Sequence, residues 1–122
     1  MPLFKGAASK VILAHLTPAR LRRIYEAHQQ ETEAQALGAD WPTFSHYFRA
    51  CRKKGFYLSR GEMQTDMTGI AAPIFNSDRL VVGSLGLVFE SQRSLFLHED
   101  VFGELVVRYA GEVSAKLAAP AG

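Results

Sequence analysis

The hydrophobic spacing of this chain changes at Gly55, and that change limits the folds open to it. Before Gly55 the apolar residues recur every three or four positions, which is typical of helices. From Phe56 to Phe89 β-prone runs alternate with turn residues, and after Glu99 the helical spacing returns. Helices followed by a short sheet and a closing helix predict an α+β domain, with helices packed on an antiparallel sheet.

Three helices are predicted before Gly55. Residues Gly6 to Leu16 are apolar on nearly all sides, which indicates a helix buried on several faces. Thr17-Pro18 supplies an N-cap and a first-position proline for the second helix. The third helix follows Trp41-Pro42 and ends at a glycine C-cap. Between them, Gln29 to Asp40 is polar and weakly patterned, so we expect the end of the second helix and a mobile loop there.

The second half of the chain favours strands and one more helix. Phe56 to Leu58, Thr68 to Phe75 and Leu80 to Phe89 are β-prone, and the turn residues Asn76 to Asp78 predict that the last two form an antiparallel hairpin. Glu99 opens a final helix, where its negative charge favours the positive helix N-terminus.

Composition excludes several classes of protein. The 122 residues are 48% hydrophobic and 21% charged, which predicts one packed domain. The net charge of +2 supplies no strong field for nucleic acid, and the apolar runs and the N-terminus predict neither a membrane span nor a signal peptide. A single cysteine, Cys51, forms no intrachain disulfide, so a cytoplasmic location is expected.

Few residues carry a pattern of known chemistry. The four histidines lack metal-ligand spacing, and Cys51 lies on an apolar helical stripe, so we predict no metal, no cofactor and no nucleophile. The arginines at 20, 22 and 23 are interpreted as a solvated face. Glu62 and Asp66 remain candidates for an acid and base pair, which leaves a small enzyme as one alternative function.

Several motifs, taken in order, resemble the effector-binding domain of IclR-type transcriptional regulators. Gly55-Phe56, Glu62 and the run Ile70 to Phe75 (IAAPIF) resemble that family's Gly-Tyr, acidic cluster and Cys-Ile-Ala-Ala-Pro-Val. The segment from Met1 to Ala14 is similar to the family's stretch in which a Gly-Lys-Ala segment opens a helix ending in Leu-Ala, and Leu80 to Phe89 falls in the same order. The resemblance covers nearly the whole chain.

The resemblance implies a GAF-like domain that binds a small effector and changes a regulator's affinity for DNA. It also implies that residues 1–122 are a fragment of that domain, with a winged helix-turn-helix and the first strands preceding Met1. On this interpretation the chain does not bind operator DNA by itself.

Carried over residue by residue, the resemblance proposes an effector site. Its contacts are the amides of Ala7 and Ala8, where free N–H groups at a helix start attract carboxylates; Ser9 replaces the family's usual glycine nearby. The other expected lining positions are Leu3, Ser59, Met67, Gly69, Gly86 and Val88.

Several of these residues differ from the family pattern in size and polarity. Gly69, Gly86 and Val88 stand where the family has a pocket cysteine and two strand serines, so hydrogen-bond partners are lost. Leu3, Met67, Val88 and Phe89 make the expected cavity wider and more apolar, which predicts a larger hydrophobic or aromatic effector. A carboxylate on that effector is expected to face Ala7 and Ala8.

Two further expectations concern assembly. Unpaired strand edges, including the apolar Leu80 to Phe89, favour self-association into a homo-oligomer. A ligand-free dimerisation or interaction module is the remaining alternative, favoured if Met67 and Phe89 fill the cavity.

Overall fold

The structure is a computed structural model, and it describes residues 3–38, 40–91 and 99–119. His98 lies outside these residues. The described helices and strands are, in chain order, α1 (Ala7–Ala14), α2 (Pro18–Ala27), α3 (Gln29–Ala34), α4 (Trp41–Lys54), β1 (Tyr57–Arg60), β2 (Met67–Phe75), β3 (Val81–Glu90) and α5 (Glu99–Ala118).

The predicted helix ends are confirmed in their atomic detail. The Thr17 side chain accepts a hydrogen bond from the Arg20 amide at 3.3 Å, and Pro18 is the first residue of α2. Asp40 caps α4 in the same way, and Gly55 ends that helix in the left-handed conformation with φ of 87°.

The segment Gln29 to Asp40 was predicted to hold the end of the second helix and a loop, but its first part forms a separate helix. α3 occupies Gln29–Ala34, immediately after α2. Thr32 is fully buried and donates a side-chain hydrogen bond to the Gln29 carbonyl, and Leu37 is also buried. These two side chains hold a polar sequence against the core, an effect of tertiary packing that the spacing of residues does not reveal.

The three strands form one antiparallel sheet in the order β1-β2-β3. Ala71 lies at its centre, opposite Tyr57 of β1 and Gly86 of β3. The predicted hairpin between β2 and β3 is confirmed: the Asn76 side chain accepts hydrogen bonds from the amides of Asp78 and Leu80 at 2.9 and 3.1 Å.

The two faces of the sheet are covered by different helices. Ile70 and Ala72 belong to a buried cluster with Val106 and Ala110 of α5. Ala71, whose side chain points to the other face, packs with Val11 of α1. A third cluster of buried side chains joins α1, α2 and α4. The fold is therefore α+β with helices on an antiparallel sheet, as predicted, and α1 connects the sheet to the helical core.

Candidate functional site

A cavity of about 300 Å³ opens between the start of α1 and the strand β3. Its volume is at the lower end of the range found for small-molecule sites. The lining is almost entirely apolar and consists of Lys5, Gly6, Ala7, Ala8, Ser9, Met63, Ile70, Ala71, Gly86, Leu87 and Val88.

The first turn of α1 lines this cavity and carries backbone amides without a partner in the helix. The first hydrogen bond of the helix runs from the Lys10 amide to the Gly6 carbonyl at 3.2 Å. The amides of Ala7, Ala8 and Ser9 precede it and therefore have no acceptor within the helix. Within the described part of the chain, no side chain caps them. The cavity thus combines apolar walls with a few hydrogen-bond donors at the positive end of a helix.

The strand wall owes its shape to Gly86. A Cβ atom at this position would lie 2.7 Å from the Ile70 carbonyl oxygen, so only glycine permits this approach to β2. The neighbouring Val88 is 71% exposed and contributes an apolar side chain to the cavity. The glycine therefore lets the backbones of two strands approach closely.

A buried polar network holds the start of α1 in place. Glu62 accepts a hydrogen bond from the Gly6 amide at 3.1 Å and pairs with the Lys10 ammonium at 2.8 Å. Its other oxygen accepts a bond from the Tyr57 hydroxyl at 2.7 Å, and that hydroxyl lies 2.6 Å from the Tyr47 hydroxyl. Burial raises the pKa of Tyr57, and the hydrogen bonds to Tyr47 and Glu62 raise it further.

The network gives Glu62 a structural position. Its carboxylate is occupied by three donors, whereas Asp66 is exposed on the loop that follows. The network also places Met63 beside Gly6, where it lines the cavity.

Half of the predicted effector residues line the cavity: Ala7, Ala8, Gly86 and Val88. A Cβ at Gly69 would lie 3.6 Å from the Ala7 Cβ, so Gly69 is adjacent to the helix that forms one wall. The remaining three lie elsewhere. Leu3 packs against the helical core, Ser59 is buried in β1 opposite Gly69, and Met67 begins β2 opposite Glu90.

Sequence reasoning missed several lining residues. Ile70, Ala71 and Leu87 are strand neighbours of predicted positions, so the register of the hairpin could have indicated them. Lys5 lies next to the predicted helix start. Met63 carries no sequence signal, because the bonds that Glu62 makes to distant residues place the loop that contains it against α1.

The other candidate groups have ordinary structural surroundings. Cys51 is buried, and burial raises the pKa of its thiol to about 11. Burial lowers the pKa of His15, whose ring nitrogen lies 2.8 Å from the Val11 carbonyl oxygen. Across residues 3–38, 40–91 and 99–119, no three His, Cys, Asp or Glu residues are grouped to hold a metal ion.

Comparison with known protein families decides the identity of the fold. The family described as the C-terminal domain of the bacterial transcriptional regulator IclR matches residues 1–115. The chain belongs to the IclR C-terminal domain family. The chain therefore corresponds to the C-terminal domain of a family of bacterial transcriptional regulators. A search of curated proteins returned no significant match.

Solved structures share the fold at low sequence identity. The C-terminal domain of the Escherichia coli regulator KdgR superposes with a TM-score of 0.79 at 19% identity over 97% of this chain and 72% of that one. The C-terminal domain of a proposed regulator from Vibrio cholerae gives 0.73 at 22% identity over 91% of this chain and 63% of that one. The chain thus spans less than two thirds of the Vibrio domain.

A third similar structure was solved with a ligand. It is a double mutant of the inducer-binding domain of the transcription factor PobR from Acinetobacter, in complex with 3-hydroxybenzoic acid. The TM-score is 0.73 at 20% identity, over 93% of this chain and 68% of that one.

Within the described residues, no helix combines the length and the apolar character that crossing a membrane requires.

Proposed function

We propose that the cavity between α1 and β3 binds an apolar or aromatic small molecule, and that this binding regulates transcription. The observation that carries the proposal is the cavity itself: about 300 Å³ of almost wholly apolar lining that meets the uncapped amides of Ala7 and Ala8. Apolar walls with a few convergent polar groups are the usual composition of a ligand site.

The donors at the helix start define one end of the effector. Lys5 and the start of α1, with its three free backbone amides, line this end of the cavity, whereas Met63 and Val88 line its apolar remainder. An aromatic ring with a polar or carboxylate group directed at Ala7 and Ala8 satisfies both environments. The hydroxybenzoic acid bound by the similar PobR domain has this chemistry.

The two alternative functions find less support. A ligand-free interaction module is favoured if Met67 and Phe89 fill the cavity, but neither residue lines it. Phe89 packs toward α5, where its ring centroid lies 6.1 Å from that of Phe102. A small enzyme requires Glu62 to act on a substrate, but its carboxylate is held by Gly6, Lys10 and Tyr57.

The regulated activity belongs to other parts of the regulator. Operator binding is proposed to reside in an N-terminal winged helix-turn-helix outside the sequence described here, in a cytoplasmic protein. We also propose self-association along β3. Among the described residues this strand pairs only with β2, and Val82 and Val88 are 55% and 71% exposed.

Thermal unfolding against a panel of small molecules tests ligand binding. The panel holds aromatic and aliphatic carboxylates, with 3-hydroxybenzoate among them, and their neutral amides. A ligand present at one hundred times its dissociation constant adds about 2.7 kcal/mol to the free energy of unfolding. One chemical class is expected to raise the melting temperature by several degrees, whereas a cooperative melt that no compound shifts contradicts the proposal.

Two matched variants locate the site. Val88→Glu puts a charge on the cavity wall and is expected to abolish the ligand-induced shift. Val82→Glu adds the same charge to an exposed valine of the same strand that does not line the cavity, and is expected to keep the shift. Sedimentation equilibrium of the wild type and Val82→Glu then measures self-association. If the wild type and Val82→Glu both sediment with the mass of a monomer, pairing through β3 is contradicted.

A further inference from the structure

A second cavity lies at the opposite end of α1, between that helix, α2 and α4. We call it the α2–α4 notch. Ala14, Leu21 and Phe48 give it an apolar floor, and the half-buried Trp41 forms part of the wall. Its volume is about 90 Å³. A cavity that encloses a benzene ring measures about 150 Å³, so an aromatic ligand in this notch is enclosed only in part.

The rim of the notch carries two arginines. Arg49 and Arg52 are three positions apart on α4, so their side chains leave the same side of the helix. Both are exposed. Their guanidinium groups are charged and planar, and they match the two oxygens of a carboxylate.

These two charges are not compensated. Elsewhere, exposed arginines lie beside carboxylates, as in the pairs Arg22 with Glu26 and Arg108 with Glu112. In the described part of the chain neither Arg49 nor Arg52 has such an ion pair, and the residues that line the notch include no acidic side chain. The notch is therefore an apolar hollow with an unneutralised positive rim.

The helix α2 adds to this field. Pro18, its first residue, lines the notch, so the positive end of the α2 dipole is directed at the same region. Trp41 also contacts two side chains of α2. The Arg22 guanidinium lies 5.2 Å from the indole centroid, and the Tyr25 ring centroid lies 5.6 Å from it. These two contacts pack the indole against α2.

We propose that the α2–α4 notch is a second ligand site, which binds a small aromatic monocarboxylate. The ring packs on the half-buried Trp41 above the apolar floor, and the carboxylate accepts hydrogen bonds from Arg49 and Arg52. This site is separate from the cavity at α1 and β3, which has apolar walls and a single exposed lysine. These two cavities differ in charge and lie at the two ends of one helix.

Trp41 is the only tryptophan of the chain, so its fluorescence reports on this notch directly. The probe is benzoate, added to the full chain and excited at the red edge of the tryptophan band, where benzoate does not absorb. A saturable change in emission is expected with benzoate. Benzamide lacks the charge, so it is expected to bind with at least tenfold lower affinity. Salt at high concentration should weaken the benzoate effect, because the rim is exposed.

Arg49→Gln and Arg52→Gln test the rim while keeping most of each side-chain stem. Each is expected to weaken benzoate binding by roughly tenfold to one hundredfold. Arg108→Gln removes an exposed arginine of α5 and is expected to leave the affinity unchanged. Urea unfolding of all three variants checks that the fold is retained.

The outcomes separate this site from the proposed effector cavity. Binding that survives Val88→Glu but is lost in the Arg49 and Arg52 variants supports the second site. Emission that does not change with benzoate, or changes equally with benzamide, overturns it, and so does a response that the arginine variants leave intact. A response lost only in Val88→Glu assigns the carboxylate to the effector cavity instead.

Discussion

Replacing Glu62 by alanine should destabilise the domain far more than the loss of an exposed ion pair does. Three donors meet at its carboxylate: the Gly6 amide at 3.1 Å, the Lys10 ammonium at 2.8 Å and the Tyr57 hydroxyl at 2.7 Å. The Lys10 side chain is only 7% exposed. Glu62→Ala therefore leaves a buried cation without its charged partner, and only the hydroxyls of Tyr47 and Tyr57 remain as acceptors.

The expected cost is about 3–5 kcal/mol, the range measured when one member of a buried pair is removed. For 122 residues, an unfolding entropy of about 2.1 cal/mol/K per residue gives about 0.26 kcal/mol/K for the chain. The melting temperature should consequently fall by roughly 12–20 °C.

Scanning calorimetry measures this shift, and Glu112→Ala is the matched control. Glu112 lies 3.8 Å from Arg108 on the exposed side of α5, so its loss should cost less than about 1 kcal/mol. The double variant Lys10→Met with Glu62→Ala should recover part of the loss, since no buried charge is left unpaired. A Glu62→Ala melt that matches the Glu112→Ala melt refutes the reasoning.

Three further predictions follow from single contacts. Gly103→Ala places a Cβ 2.4 Å from the Phe56 ring and should cost about 1–3 kcal/mol in urea unfolding, whereas Gly111→Ala on the same helix meets nothing within 4 Å and should stabilise by about 0.5–1 kcal/mol. Because burial raises the pKa of Cys51 from 9.0 to about 11, the unfolded chain ionises first, and stability should fall as the pH rises from 9 toward 11; Cys51→Ala should lack this part of the pH profile. Burial lowers the pKa of His15 below 6.5, so stability should fall as the pH drops below 6.5, and less so in His15→Gln, both measured by urea unfolding.

The parts of the fold that could be predicted are those set by local chemistry. The caps at Thr17 and Gly55 depend on residues a few positions apart, and so does the turn at Asn76. Each was therefore visible in the sequence. The class of the fold follows from the same local patterns, because the change of spacing at Gly55 separates the helices from the sheet.

The parts that could not be predicted depend on contacts between distant residues. α3 owes its helix to the burial of Thr32 and Leu37, although its sequence is polar. The pairing of Lys10 with Glu62 joins residues that only the fold brings together, and it decides that Met63 lines the cavity. Leu3, expected at the cavity, packs into the helical core for the same kind of reason.

Amide chemical shifts of nitrogen-labelled protein test the central claim most directly, because they report where a ligand binds. Titration with the best compound of the thermal panel should move the amides of Ala7, Ala8 and Val88, which line the α1–β3 cavity. Shifts concentrated at these residues and lost in Val88→Glu are the predicted result. Saturable binding that leaves all three amides unmoved would contradict an effector site in this cavity.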